Sequence, residues 1–265
     1  MLIDTHSHVS LVSSVHDWDS VLERARMAGV VCGLITTGSD SDFEVAREAA
    51  HQYHWGYCVG IHPLFIDQVH DNALVNMERF LENHFDDPHL IGIGEIGLDL
   101  YEGHPDYGRQ LSFFRAQMAL AEKFSLPVSV HARRALSRVI EVIDEFGAVK
   151  GAVHAFPGSA EQAREVIARG YGIGFGGAIT YEGSKKLRKC AVVVPEEVIL
   201  LETDAPDMPP SYRRGGQSEP SDLVQYLQTL SSLRAQCPKQ LEECVFKNSL
   251  KFFPRLRFFF ATNAR

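Results

Sequence analysis

Short apolar runs rich in β-branched residues alternate along this chain with longer stretches whose apolar positions recur at helical spacing. Eight runs read as strands, at residues 1–6, 31–37, 56–61, 90–95, 127–131, 149–154, 171–176 and 197–203. Between them, Trp18 to Ala28, Asp40 to Tyr53, Tyr107 to Phe124, Ala135 to Phe146 and Ala160 to Ala168 carry the helical pattern. Repeated βα units build a parallel sheet, and eight of them in one chain predict an α/β fold, a single (β/α)8 TIM barrel. A doubly wound open sheet is the alternative, but it usually has fewer strands and binds its ligand where the strand order reverses.

No Ser/Gly linker, internal repeat or low-complexity block divides the chain. One barrel is therefore expected over residues 1–253, with 254–265 as a tail. Pro206 to Pro220, rich in Pro, Gly and Ser, reads as a long loop after the eighth strand and a candidate substrate wall. Asp222 to Ala235 and Gln240 to Phe252 read as two closing helices. The tail, with Arg255, Arg257 and Phe258 to Phe260, is expected to pack on the barrel rather than to touch nucleic acid.

Composition narrows the class. A 265-residue chain with 45% hydrophobic and 23% charged residues is of ordinary globular make-up and buries a large core. Its formal net charge of -8 excludes a protein that holds nucleic acid through a broadly basic surface, so an anionic substrate needs local positive charge. The five cysteines, Cys32, Cys58, Cys190, Cys237 and Cys244, form no CxxC pair, which supports neither a disulfide framework nor a thiolate zinc site. No apolar run approaches the ~20 residues of a membrane span, and a cytoplasmic location is expected.

The chemistry sits at strand ends. His6 and His8 follow the first apolar strand two residues apart, a spacing that sends both side chains to one face. Glu95 ends the fourth, His131 the fifth and His154 the sixth, while Asp204 follows the eighth with Glu202 on the same face as a supporting group. A carboxylate ending an apolar strand needs a cation or several donors. In such barrels, strand ends far apart in sequence converge on one face. Four neutral imidazoles and two carboxylates carry -2; two divalent cations would leave +2, the local attraction that the acidic surface lacks. This donor mix suits zinc, manganese, iron or nickel better than calcium, with magnesium retained. Gly92-x-Gly94-x-x-Gly97 and Gly172-x-Gly174-x-x-Gly177 match a dinucleotide fingerprint, but neither opens a helix, so both read as strand glycines.

The motifs Asp4-Thr-His6-Ser-His8, Gly60-Ile-His62-Pro63, Gly94-Glu95-Ile-Gly-Leu-Asp99, Val130-His131-Ala-Arg133-Arg134, His154-Ala-Phe156-Pro-Gly158-Ser159 and Leu201-Glu-Thr-Asp204-Ala-Pro206 span nearly the whole chain. Together they resemble the TatD family of metal-dependent deoxyribonucleases, within the wider amidohydrolase-like barrels. Many amidohydrolases bridge their metals with a modified lysine, and none stands at the Glu95 strand end. The resemblance implies two divalent cations (Mg2+, Mn2+ or Zn2+). His6 and His8 would bind one and His131 and His154 the other, with Glu95 bridging both and Asp204 completing the first. Asp204 would also act as general base, and His62 and Arg133 are candidates for holding phosphate. Arg134 and the cluster Lys185, Lys186, Arg188 and Lys189 read as solvated helix faces. The expected partner is DNA, through single-stranded or frayed ends, with no membrane and no obligate protein partner. The rival reading is a hydrolase of a small ester, lactone or amide on the same barrel, which fold and ligands do not separate.

Overall fold

β1 (Leu2–Ser7) is buried along its whole length, as a strand wrapped by neighbours on every side must be. The computed structural model describes residues 1–12, 17–70, 72–101 and 106–263. After β1 come α1 (Trp18–Met27), β2 (Val30–Thr36), α2 (Phe43–Tyr53), β3 (Gly56–Val59), α3 (Ala73–His84), β4 (Leu90–Asp99) and α4 (Tyr107–Phe124). The second half continues with β5 (Val128–Arg133), α5 (Leu136–Glu145), β6 (Gly151–Val153), α6 (Ala160–Ala168), β7 (Gly172–Phe175), α7 (Lys185–Val193) and β8 (Ile199–Leu201). α8 (Leu223–Arg234), α9 (Pro238–Phe252) and a 3-10 stretch, Pro254–Asn263, complete the chain.

The strands pair in parallel and in sequence order, β1 to β8. The ring closes just beyond β8, where Asp204 N donates to His6 O at 2.9 Å and His8 N to Ala205 O at 2.8 Å. Asp4 reinforces the seam: its carboxyl accepts from Thr203 N at 2.9 Å and from Thr203 Oγ1 at 2.5 Å. This is the TIM barrel that the βα alternation predicts. The helices start where their sequences say they should. Asp17 and Asp106 cap α1 and α4 by accepting from the amides of Ser20 and Arg109, and Ser159 forms a capping box with Gln162 before α6.

The largest departure from the sequence pattern is β4, which runs on to Asp99 rather than ending at Glu95. Gly97 and Asp99 look like strand breakers, yet they pair with His131 and Arg133 of β5. Gly97 permits this because its φ is +140°, and a Cβ there would fall 2.1 Å from His131 O. Glu95 therefore stands inside the strand, on the same side as Asp99 by the two-residue period. α3 carries no signal singled out in the sequence pattern. The final 3-10 stretch packs against the barrel near the start of β4: Leu256 is buried, Arg255 donates to Phe85 O at 2.7 Å, and the Phe259 ring meets His54 and His89.

Candidate metal centre

The strand ends bring five of the six expected ligands around the carboxylate of the sixth, Glu95, which is 2% exposed. Its two oxygens face different partners. Oε2 lies 3.2 Å from His6 Nε2 and 3.4 Å from His8 Nε2, and Asp204 Oδ1 lies 3.6 and 3.3 Å from the same two nitrogens. Oε1 lies 2.8 Å from His131 Nδ1 and 2.6 Å from His154 Nε2, which are 3.3 Å from each other. Ligands about 2.0–2.2 Å from a tetrahedral cation stand about 3.3–3.6 Å apart, so the His6, His8, Glu95, Asp204 spacing is that of a coordination shell.

The outer hydrogen bonds fix which nitrogens face inward. His8 Nδ1 donates to the Thr36 carbonyl at 2.8 Å and His131 Nε2 to Asp99 Oδ2 at 3.0 Å. This leaves His8 Nε2 and His131 Nδ1 as the lone-pair atoms, turned towards the carboxylate oxygens. A lone pair facing an anion at such range is repulsive unless a proton or a cation lies between them. His6 Nδ1 is held by Ser129 Oγ at 2.8 Å. His154 Nδ1 is buried without a hydrogen bond, 3.8 Å from Glu202 Oε1, and Glu202 itself accepts from Ala155 N. A Cβ on Gly174 would meet the Glu202 carboxylate at 2.3 Å, so that glycine makes room for it. Outer partners of this kind orient metal-binding imidazoles. The residues present thus fit a divalent cation beside Glu95, with the His6, His8 and Asp204 donors at coordination spacing and the His131 and His154 nitrogens gathered at the other carboxylate oxygen.

Burial alone would raise the Glu95 carboxyl, but the surrounding His62, His154 and His6 hold it well below the usual carboxylate range. Burial presses His6 down to about 4. His154 is also penalised by burial, yet the Glu95 charge carries it up to about 9. Burial pushes the carboxyls of Glu202 and Asp4 up to about 7 and about 8. Without metal, His154 is therefore protonated at neutral pH. Its charge stabilises the metal-free fold fully below about pH 6.5, a contribution lost as pH rises through about 9. Metal uptake at pH 7 is expected to release protons and to weaken as pH falls. Calorimetric titration in two buffers of different ionisation heat measures the release; identical heats would contradict it.

His62 plays a different part from the other rings. Its Nδ1 accepts the Leu64 amide at 3.1 Å, which puts the proton on Nε2, and Nε2 points at Glu95 Oε1 from 3.2 Å. It is thus an N–H donor aimed into the site. Arg133 reaches the same cleft from the end of β5, with its guanidinium 4.1 Å from the Tyr101 ring centre. Arg134 stacks on that ring at 4.6 Å and does not line the cleft. Asp204 and Ala155 hold left-handed backbone, at φ +57° and +41°. Such strain persists in non-glycine residues only where neighbours over-determine it, and here it falls at one grouped donor, Asp204, and directly after another, His154.

A cleft of about 850 Å³ opens over these groups, walled by the loops after β1, β2, β3 and β8. Of the long loop after β8, only Asp207 and Met208 line it. Asp99, Ser129 and Thr36 were missed in the sequence. Asp99 alone left a signal, as a carboxylate of the same strand parity as Glu95.

A family model described as TatD related DNase matches residues 3–254. The chain belongs to the TatD family. It is 31% identical over 253 residues to the metal-dependent hydrolase YjjV of Escherichia coli, covering 95% of this chain and 97% of that one. The crystal structure of YjjV superposes with a TM-score of 0.91 at 30% identity, covering 96% and 98% of the two chains. The human deoxyribonuclease TATDN3 is 30% identical over 269 residues, covering 97% and 96%. The 3'-5' ssDNA/RNA exonuclease TatD of Erwinia tasmaniensis is 32% identical over 267 residues, covering 95% and 99%. This TatD-family chain is a metal-dependent hydrolase. No helix among the described residues is long and apolar enough to cross a membrane.

Proposed function

We propose that this protein is a deoxyribonuclease that cleaves phosphodiester bonds at single-stranded or frayed DNA ends, using two divalent cations shared by Glu95. The observation that carries the reading is the split of the Glu95 carboxylate, with one oxygen towards His6 and His8 and the other towards His131 and His154. The TatD-family relatives named as a deoxyribonuclease and as a single-strand exonuclease support DNA as the substrate. Cations held there would polarise the phosphoryl oxygens and make a water acidic enough to attack at neutral pH.

The chain's own residues divide the remaining work. Asp204 takes the proton of the attacking water: it stands beside His6 and His8, half-buried on the cleft wall, and His8 holds its carboxyl ionised against the opposing effect of burial. His62 directs its Nε2 proton into the site, where a phosphoryl oxygen accepts it, and Arg133 meets the same phosphate from the β5 side. Asp99 fixes the His131 ring through a hydrogen bond, and Glu202 places a carboxylate behind the buried His154 ring.

His131→Ala is expected to keep the fold and to lower the bound metal from two ions per chain to one, with DNA cleavage reduced accordingly. Elemental analysis beside circular dichroism checks it. Unchanged stoichiometry would remove His131 from the ligand set.

A further inference from the structure

The cleft is charged unevenly around the grouped donors. On the β4–β5 side stands Arg133, with Arg134 outside the lining beyond it; their guanidiniums lie 4.1 and 4.6 Å from the Tyr101 ring centre, and neither makes an ion pair among the described residues. The opposite arm lies between the loops after β8, β1, β2 and β3. It carries Asp40 and Asp207, the imidazole of His70, apolar Leu11 and Val69, and the ring of Phe65. Phe65 is 41% exposed, packs over Gly38 and sits with its ring 5.7 Å from that of His62. Arg133 is the one lysine or arginine among the described residues lining the cleft.

We propose that this arm receives the terminal nucleoside of a strand and rejects an end that carries a phosphate. The proposal rests on the nuclease reading and adds the identity of the accepted end. A strand is a chain of anions, so its remainder lies towards the arginines, and the arm walled by carboxylates suits only the piece beyond the last phosphodiester. That piece is neutral when it ends in a hydroxyl. Its base stacks on Phe65, which discriminates little among bases because every base offers a π-face. The Asp40 carboxylate, whose one described partner is Asn76 at 3.4 Å, is an acceptor for sugar hydroxyls or base amines. A terminal phosphate would face Asp40 and Asp207 with no lysine or arginine on that arm among the described residues.

The test uses the metal-loaded full chain and one single-stranded DNA sequence made in four forms: hydroxyl at both ends, phosphate at the 5' end, phosphate at the 3' end, and phosphate at both. Asp204→Asn serves as the blank. A phosphate at the processed end is expected to lower kcat/KM by about tenfold or more, and a phosphate at the other end to leave it unchanged. In Asp40→Asn/Asp207→Asn the penalty shrinks, and in Phe65→Ala the KM of the hydroxyl-ended strand rises. Equal rates for all four forms, or faster release from a phosphate-ended strand, would overturn the terminal pocket and leave the nuclease reading standing. No release from any form despite bound metal would overturn the nuclease reading and this inference with it. The four-strand comparison on the unmodified protein decides the matter even if a variant fails to fold.

Discussion

Asp204→Asn is expected to lower turnover by about 10²–10⁴-fold, the range of a lost general base, while the barrel and most of the bound metal remain. The substitution is nearly isosteric, and the features that fix this residue are backbone features: Asp204 N donates to His6 O, and Asp207 N donates to Asp204 O at 2.7 Å. An amide in the same place still offers an oxygen to the His6 and His8 side of the site but has no basic lone pair for a proton of water. KM is expected to change little because phosphate recognition is assigned to Arg133 and His62. A variant that keeps turnover within about threefold of the unmodified protein, against the loss expected of a missing base, would move the base elsewhere in the cleft, with Asp207 the next carboxylate to test.

Glu95→Gln should be more damaging still. The His6, His8, His131 and His154 rings each face one Glu95 oxygen or the other, so the loss of this charge affects both sides of the site. The environment also changes sign: His6, His62 and His154 face the buried carboxylate and lose the anion that balances them. Metal content is expected to fall from two ions towards none, with activity down by about 10³-fold or more, since the buried site then lacks the one carboxylate that faces both pairs of imidazoles and offsets the charge of the cations. Elemental analysis of the purified variant checks this, and retention of both ions in Glu95→Gln would show that the Glu95 carboxylate does not bridge them.

The sequence carried the grouped donors other than Glu95 plainly because each stands at or just beyond the end of an apolar strand, where a period of two and eight repeated βα units leave only one face to point to. His6, His8, His131, His154 and Asp204 could be found without knowing the pairing of any strand. What stayed hidden depends on non-local contacts. β4 extends past Glu95 only because β5 supplies partners for Gly97 and Asp99, and a local reading takes that glycine and aspartate for a turn. Asp99 therefore passed as a motif residue rather than the partner of His131. Ser129 is an ordinary strand serine until the closed barrel sets it against His6 Nδ1. Phe65 follows His62-Pro63 in a loop, and nothing in its neighbours along the chain indicates that it covers Gly38 and faces the cleft. His62, conversely, is a candidate phosphate holder from its place at the third strand end, and only the Leu64 amide explains why the nitrogen it turns to the site is a donor.

The central claim, a nuclease whose two cations are gathered by Glu95, is tested most directly by nucleotide release from single-stranded DNA. Protein stripped of metal is assayed with magnesium, manganese or zinc added back and with Asp204→Asn alongside. Cleavage absent from the stripped protein, restored by metal and lost in the variant is the predicted result. Full metal loading with no cleavage of DNA, and turnover of a small ester or lactone instead, would contradict it.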